Sequence, residues 1–250
     1  MKKRFQMKKS FKTKSNLYNS IPLDEEIKRS IISCRISAIA DYYGNNREEG
    51  ITYYNQKHAA IWNRTYSQLS KHLTHKGFLV FPIKRNSWML SVCVDIETKF
   101  VFVFLTKSNY DEIVADAQRG SKNHYTRIMS CINKEIISED MYVQQRIEET
   151  KEDDEYLYKK ALNIFDESIG EEAFRKLEAY CIVVFHEKNY ELNKVTLEIV
   201  DSDYKDIYGE DWSYLIDDAY YATDVPNIEV PREIEEVTLS VGKKSVEEES

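Results

Sequence analysis

A chain of 250 residues, 42% hydrophobic and 31% charged, can bury a sizeable core and is too polar for a membrane bundle. Its net charge of −8 is split unevenly: residues 1–14 hold seven Lys or Arg and no acid, so the remainder carries −15. No apolar run is long enough to span a bilayer, and no apolar stretch follows the basic start as a signal peptide would need.

Residues 1–20 read as a basic tail that can lie weakly on nucleic acid by counterion release. Residues 21–241 read as one α+β domain, divisible into sub-lobes 21–136 and 137–241, and 242–250 as an acidic tail. Pro22 with Asp24, Glu25 and Glu26 starts a helix, because proline suits the first turn and acids oppose its positive dipole end. Ile27, Ile31, Ile32, Ile36 and Ile39 follow at helical spacing, and Gly44-Asn45-Asn46 should end the run. A second helix over 51–76 carries a stripe of Tyr54, His58, Ile61, Trp62, Tyr66, Leu69 and Leu73, with Gly77 as its cap.

From Phe78 the period changes to two. The runs 78–85, 87–96 and 100–105 form an antiparallel meander, whose Trp88, Leu90, Val92 and Val94 are expected to face the 51–76 helix. Residues 100–105 are apolar on both faces, so that strand should be covered twice. Helices are predicted over 109–136, broken near Arg119-Gly120-Ser121, and over 139–168. A hairpin around Lys188-Asn189 and a last strand near 237–241 complete an antiparallel sheet. Cys34, Cys93, Cys131 and Cys181 stand apart within apolar patterns, which suits reduced core thiols and a cytoplasmic protein.

The seven glycines are isolated, so neither a phosphate loop nor a dinucleotide fingerprint can be written, and no cofactor is expected. Asp95-Ile96-Glu97-Thr98-Lys99 has the residue types with which a metal-dependent nuclease holds a divalent ion, though in a hairpin turn. Arg119 and His124 have the Arg-x4-His spacing of a metal-independent ribonuclease, with His124 as acid or base and Arg119 opposite phosphate charge. His72 and His75 share a helix face but lack a third zinc ligand, and basic residues in a last turn are explained by the helix dipole. Asp201-Ser202-Asp203 begins like a calcium loop and fails further on.

The stretch Phe81 to Trp88, through Asp95, Thr98 and Phe102 to His124-Tyr125, resembles an uncharacterised family of low-GC bacterial and phage proteins. That resemblance covers residues 58–130 and implies no activity. Lys84, Arg85 and Trp88 in this stretch are binding candidates. So are Glu148, Glu149, Asp153 and Asp154, because residues 139–178 hold thirteen acids against six bases. The expectation is therefore a non-enzymatic interaction or inhibitory protein of phage or prophage origin. Its acidic surface would steer it to a basic host protein, such as one that binds nucleic acid. A nuclease using Asp95, Glu97 and Lys99, or Arg119 and His124, is the alternative.

Overall fold

In a computed structural model, which describes residues 12–13, 23–50, 56–85, 88–120, 124–137, 151–188 and 191–222, the period-two runs become one six-stranded sheet. Its strands are β1 (Phe78–Arg85), β2 (Trp88–Asp95), β3 (Phe100–Thr106), β4 (Ala179–Lys188), β5 (Glu191–Val200) and β6 (Asp206–Asp211). They lie side by side in chain order. Every neighbouring pair is antiparallel except β3 and β4, which run parallel with Thr106 level with Phe185. The expected antiparallel sheet is thus two meanders joined by a parallel seam. A parallel step needs a long crossover, and the helices between β3 and β4 supply it.

The helices are α1 (Glu25–Glu48), α2 (Lys57–Leu73), α3 (Lys107–Gln118), α4 (Tyr125–Ser130), α5 (Lys151–Phe174) and α6 (Ile216–Ala222). Asp24 caps α1, accepting the amide of Glu26 at 3.1 Å. The helix then runs through Gly44-Asn45-Asn46, where the sequence suggested a stop, and Gly50 turns away with φ +67°. Buried Tyr42 and Asn46 show why: the stripe facing α2 continues past Gly44, and packing outweighs the poor propensity of Gly and Asn. Gly77 ends the α2 segment with φ +84°, as its position implied.

Alternation along each strand sends side chains into two cores. On one face Ile31, Ile32, Trp62, Leu69 and Leu73 from α1 and α2 meet Cys93, Phe102, Cys181, Val183 and Phe185, with Trp212 and Ala219 closing the layer. On the other, Val92, Val101, Val103, Ile182 and Val184 meet Ile113, Met129, Ala161 and Phe165 from the crossover helices. All of β3 is buried, in keeping with its two-sided apolar sequence. All four cysteines are buried and free.

The expected partner of the Leu90, Val92 and Val94 face is corrected. It packs against the crossover helices, with Phe81 meeting Phe165 at 6.2 Å, while α2 takes the face that holds Cys93. Strand alternation defines two faces, and it cannot say which helix covers which. His58, expected in the core, is exposed on α2. Beyond the Cys93–Phe102 and Val94–Val101 pairs β2 and β3 part, and Tyr66 packs against both cores.

Candidate functional site

Site residues expected from the sequence fall in separate places. Asp95 ends β2, and its two oxygens serve its own turn: one accepts the Glu97 amide at 2.9 Å, the other the Thr98 hydroxyl at 2.7 Å. Lys99 has φ +64° and its ammonium donates to the Ile96 carbonyl, so the Asp95, Glu97 and Lys99 set is held as a hairpin turn. Arg119 is exposed and pairs with Asp116. His124 caps α4: its Nδ1 lies 2.6 Å from the Thr126 hydroxyl and accepts the Thr126 amide at 3.3 Å. That hydroxyl also meets Tyr204, so His124 belongs to a chain of hydrogen bonds tying α4 to the β5–β6 connection.

His72 and His75 are exposed, with His72 Nε2 3.2 Å from Gln68. Among the described residues no three His, Cys, Asp or Glu side chains gather as a metal site requires. Asp201 accepts the amides of Asp203 at 2.8 Å and Lys205 at 2.9 Å, which makes that acidic run a turn. Lys84 and Trp88 stand exposed near the β1–β2 turn, Trp88 at 52%. Glu148 and Glu149 lie outside the described residues, as do the side chains of Arg85, Asp153 and Asp154.

Two further features emerge that were not read from the sequence. The first is the β6 edge of the sheet. Residues 206–218 hold Asp206, Glu210, Asp211, Asp217 and Asp218 and no Lys or Arg. The outer side of β6 pairs with no strand among the described residues, and α1 brings Asp24, Glu25 and Glu26 to the same border. Internal cations offset part of this charge: Lys28 pairs with Glu210, Arg29 lies 3.7 Å from Asp218, and Lys194 lies 3.3 Å from Asp211. Asp206 and Asp217 have no ion-pair partner among the described residues. Tyr214 is 60% exposed and donates to Glu25 at 3.2 Å, and Tyr220 is also exposed. The sequence carries this as five acids with no base between them, whereas their position at a sheet border is set by strand order.

The second feature lies at the carboxyl ends of the parallel seam, on the face that carries α3. His186 is directly opposite Lys194 on β5, and a bulge follows between His186 and Glu187. Burial and the charges of Lys107 and Lys194 hold the His186 imidazole below the ordinary histidine range. Further along β5, burial raises the carboxyl of Glu198 above the usual glutamate range, although Thr196 hydrogen-bonds it. Burial, with Glu198 and Asp206 close by, likewise raises the phenol of Tyr110 on α3. Gly209 lies opposite Glu198, and a Cβ there would stand 3.2 Å from its carboxylate, so glycine makes the room that Glu198 occupies.

These features define a class: an α+β protein with an open mixed sheet between two helical layers, an acidic free edge and a polar corner at its parallel seam. The chain belongs to a family of unknown function, DUF5986, whose model matches residues 20–250. No curated protein and no solved structure matches it. No helix among the described residues is long and apolar enough to cross a membrane.

Proposed function

We propose that the protein is a non-enzymatic interaction protein, of phage or prophage origin, that occupies a basic host protein through the acidic edge formed by β6 and α6. One observation carries the reading: five acids without a base occupy residues 206–218, and this run includes a strand whose outer side pairs with no strand among the described residues. An unpaired strand can accept a further strand, with main-chain hydrogen bonds giving affinity and flanking side chains giving specificity. Acidic flanks repel a second acidic copy and admit a basic chain, so one charge pattern guards the edge against self-association and selects the partner. Exposed Tyr214 supplies the aromatic anchor that interfaces favour.

The nuclease alternative has no such support, because the oxygens of Asp95 are taken by its own turn and Arg119 pairs with Asp116 at the surface. The acidic stretch that includes Glu148, Glu149, Asp153 and Asp154 is a competing surface for the same kind of partner. The test is to capture a partner at low salt and then measure its association kinetics with charge-reversed variants. Asp206→Lys/Asp217→Lys/Asp218→Lys should slow association about tenfold or more and change dissociation less, as loss of steering does. Tyr214→Ala should mainly speed dissociation. If the triple variant associates at the wild-type rate while reversal of Glu148, Glu149, Asp153 and Asp154 slows it, the β6 edge is not the interface.

A further inference from the structure

The geometry points to an oxyanion-binding corner at the carboxyl end of the β3–β4 seam, formed by Lys107, His186 and Lys194, that takes the phosphate of a phosphomonoester. The proposal does not rest on the acidic edge as a docking surface, although Asp211 of that edge pairs with Lys194.

Register brings the three side chains together. Thr106 is level with Phe185 in the parallel pair, so Lys107, which opens α3, follows beside His186, which is still within β4. His186 in turn faces Lys194 across the antiparallel β4–β5 pair. Neither His186 nitrogen has a hydrogen-bond partner among the described residues. The bulge just beyond His186 re-aims the chain at this point, as bulges beside binding sites often do.

Stability alone does not favour the arrangement. A lysine in the first turn of α3 meets the positive end of the helix dipole. Asp111 pairs with Lys107 and Asp211 with Lys194, but all four side chains are substantially exposed. Exposed pairs of this kind contribute little, so both ammonium groups can turn to an incoming anion at small cost. A dianion would also favour the imidazolium form of His186, which the charges of Lys107 and Lys194 oppose and those of Asp111 and Asp211 support, while Glu198 faces the same two lysines; a third cation is thus supplied only when the ligand is present.

The experiment uses the full chain, carbon-labelled at the histidine rings and titrated with inorganic phosphate or methyl phosphate at constant ionic strength, with chloride as the control. A saturable shift of the His186 signal is expected, together with a rise in its titration midpoint on saturation. Lys107→Gln and Lys194→Gln should each weaken binding about tenfold without moving the urea midpoint, whereas a change at exposed Lys71, Lys71→Gln, should leave binding unchanged. Dimethyl phosphate, with a single charge, should bind more weakly than methyl phosphate. The proposal is overturned if chloride reproduces the shift, if no shift saturates, or if both lysine variants bind as the wild type does. Equal binding of the diester would also overturn it, by assigning the corner to a phosphodiester instead.

Discussion

Removing the carboxylate of Glu187 should cost the fold more than removing both partners of the ion pair it makes. Arg35 on α1 is 1% exposed, with its guanidinium 4.2 Å from the Trp62 ring centre and 5.5 Å from that of Phe185. Its Nε and Nη2 each lie 2.6 Å from Glu187, and Nη1 donates to the Thr65 hydroxyl at 3.0 Å. Burial pulls the Arg35 pKa down while Glu187 holds it up. Arginine stays charged regardless, so loss of the partner strands a buried cation. Breaking a buried pair costs about 3–5 kcal/mol, and the partial exposure of Glu187 lets water moderate this toward about 3 kcal/mol for Glu187→Ala. In Arg35→Met/Glu187→Ala the buried charge is gone, Met fills the slot between the rings, and Thr65 keeps its bond to the Ile61 carbonyl at 2.8 Å. The double variant should lose only about 1–2 kcal/mol, since an apolar replacement of a buried pair is often close to neutral. Urea unfolding reads both values, a loss of 3 kcal/mol moving the midpoint by about 1 M at a slope near ~3 kcal/mol/M. If the double variant is as unstable as the sum of Glu187→Ala and Arg35→Met, the two residues act independently and the reasoning fails.

Three other outcomes are expected. Val92→Asp places a carboxylate at a fully buried position and should cost more than about 4 kcal/mol, so a folded variant with an unchanged urea midpoint would refute the assignment of the second core. Asn133→Ala removes donors to the Tyr180 and Val200 carbonyls at 2.8 and 2.9 Å and the acceptor of the Tyr180 amide at 2.7 Å; stranding three buried backbone groups should cost about 3 kcal/mol or more, read by loss of amide exchange protection at Tyr180. The raised carboxyl of Glu198 binds its proton more tightly folded than unfolded, so its contribution to stability falls as pH rises from the ordinary glutamate range to its folded value; Glu198→Gln should flatten that slope in urea midpoints, and an unchanged slope would place the carboxyl in open solvent.

Much of the fold was legible because it depends on local periodicity. The period-two runs from Phe78 to Leu105 and the hairpin near Lys188 became strands, and the two-sided apolar pattern of β3 became a strand covered twice. Asp206–Asp211 was missed because Gly209 and three charges mask its alternation, while its inner residues Ile207 and Tyr208 are too few to declare a strand. The parallel seam was missed for a different reason. Strand direction is set by where the crossover helices rest, and no short-range pattern in either strand records it.

The polar corner was illegible for the same kind of reason, and His186-Glu187 shows how. These neighbours occupy one strand end, where the pleat sends their side chains to opposite faces. Glu187 turns toward α1 and closes on a buried arginine 152 residues away in the chain. His186 turns toward α3, where Lys107 arrives through the parallel seam and Lys194 through the antiparallel hairpin. In the sequence the two residues read alike, as polar residues ending an apolar run. Their roles diverge because the sheet has a different helical layer on each side: one side demands a counter-charge for a cation already buried, and the other places the imidazole beside two exposed lysines. One dipeptide thus anchors the fold through Glu187 and presents His186 at the proposed anion corner. The two variants Glu187→Ala and His186→Gln should separate accordingly, the first lowering the urea midpoint and the second leaving it unchanged while weakening phosphate binding more at acid than at alkaline pH.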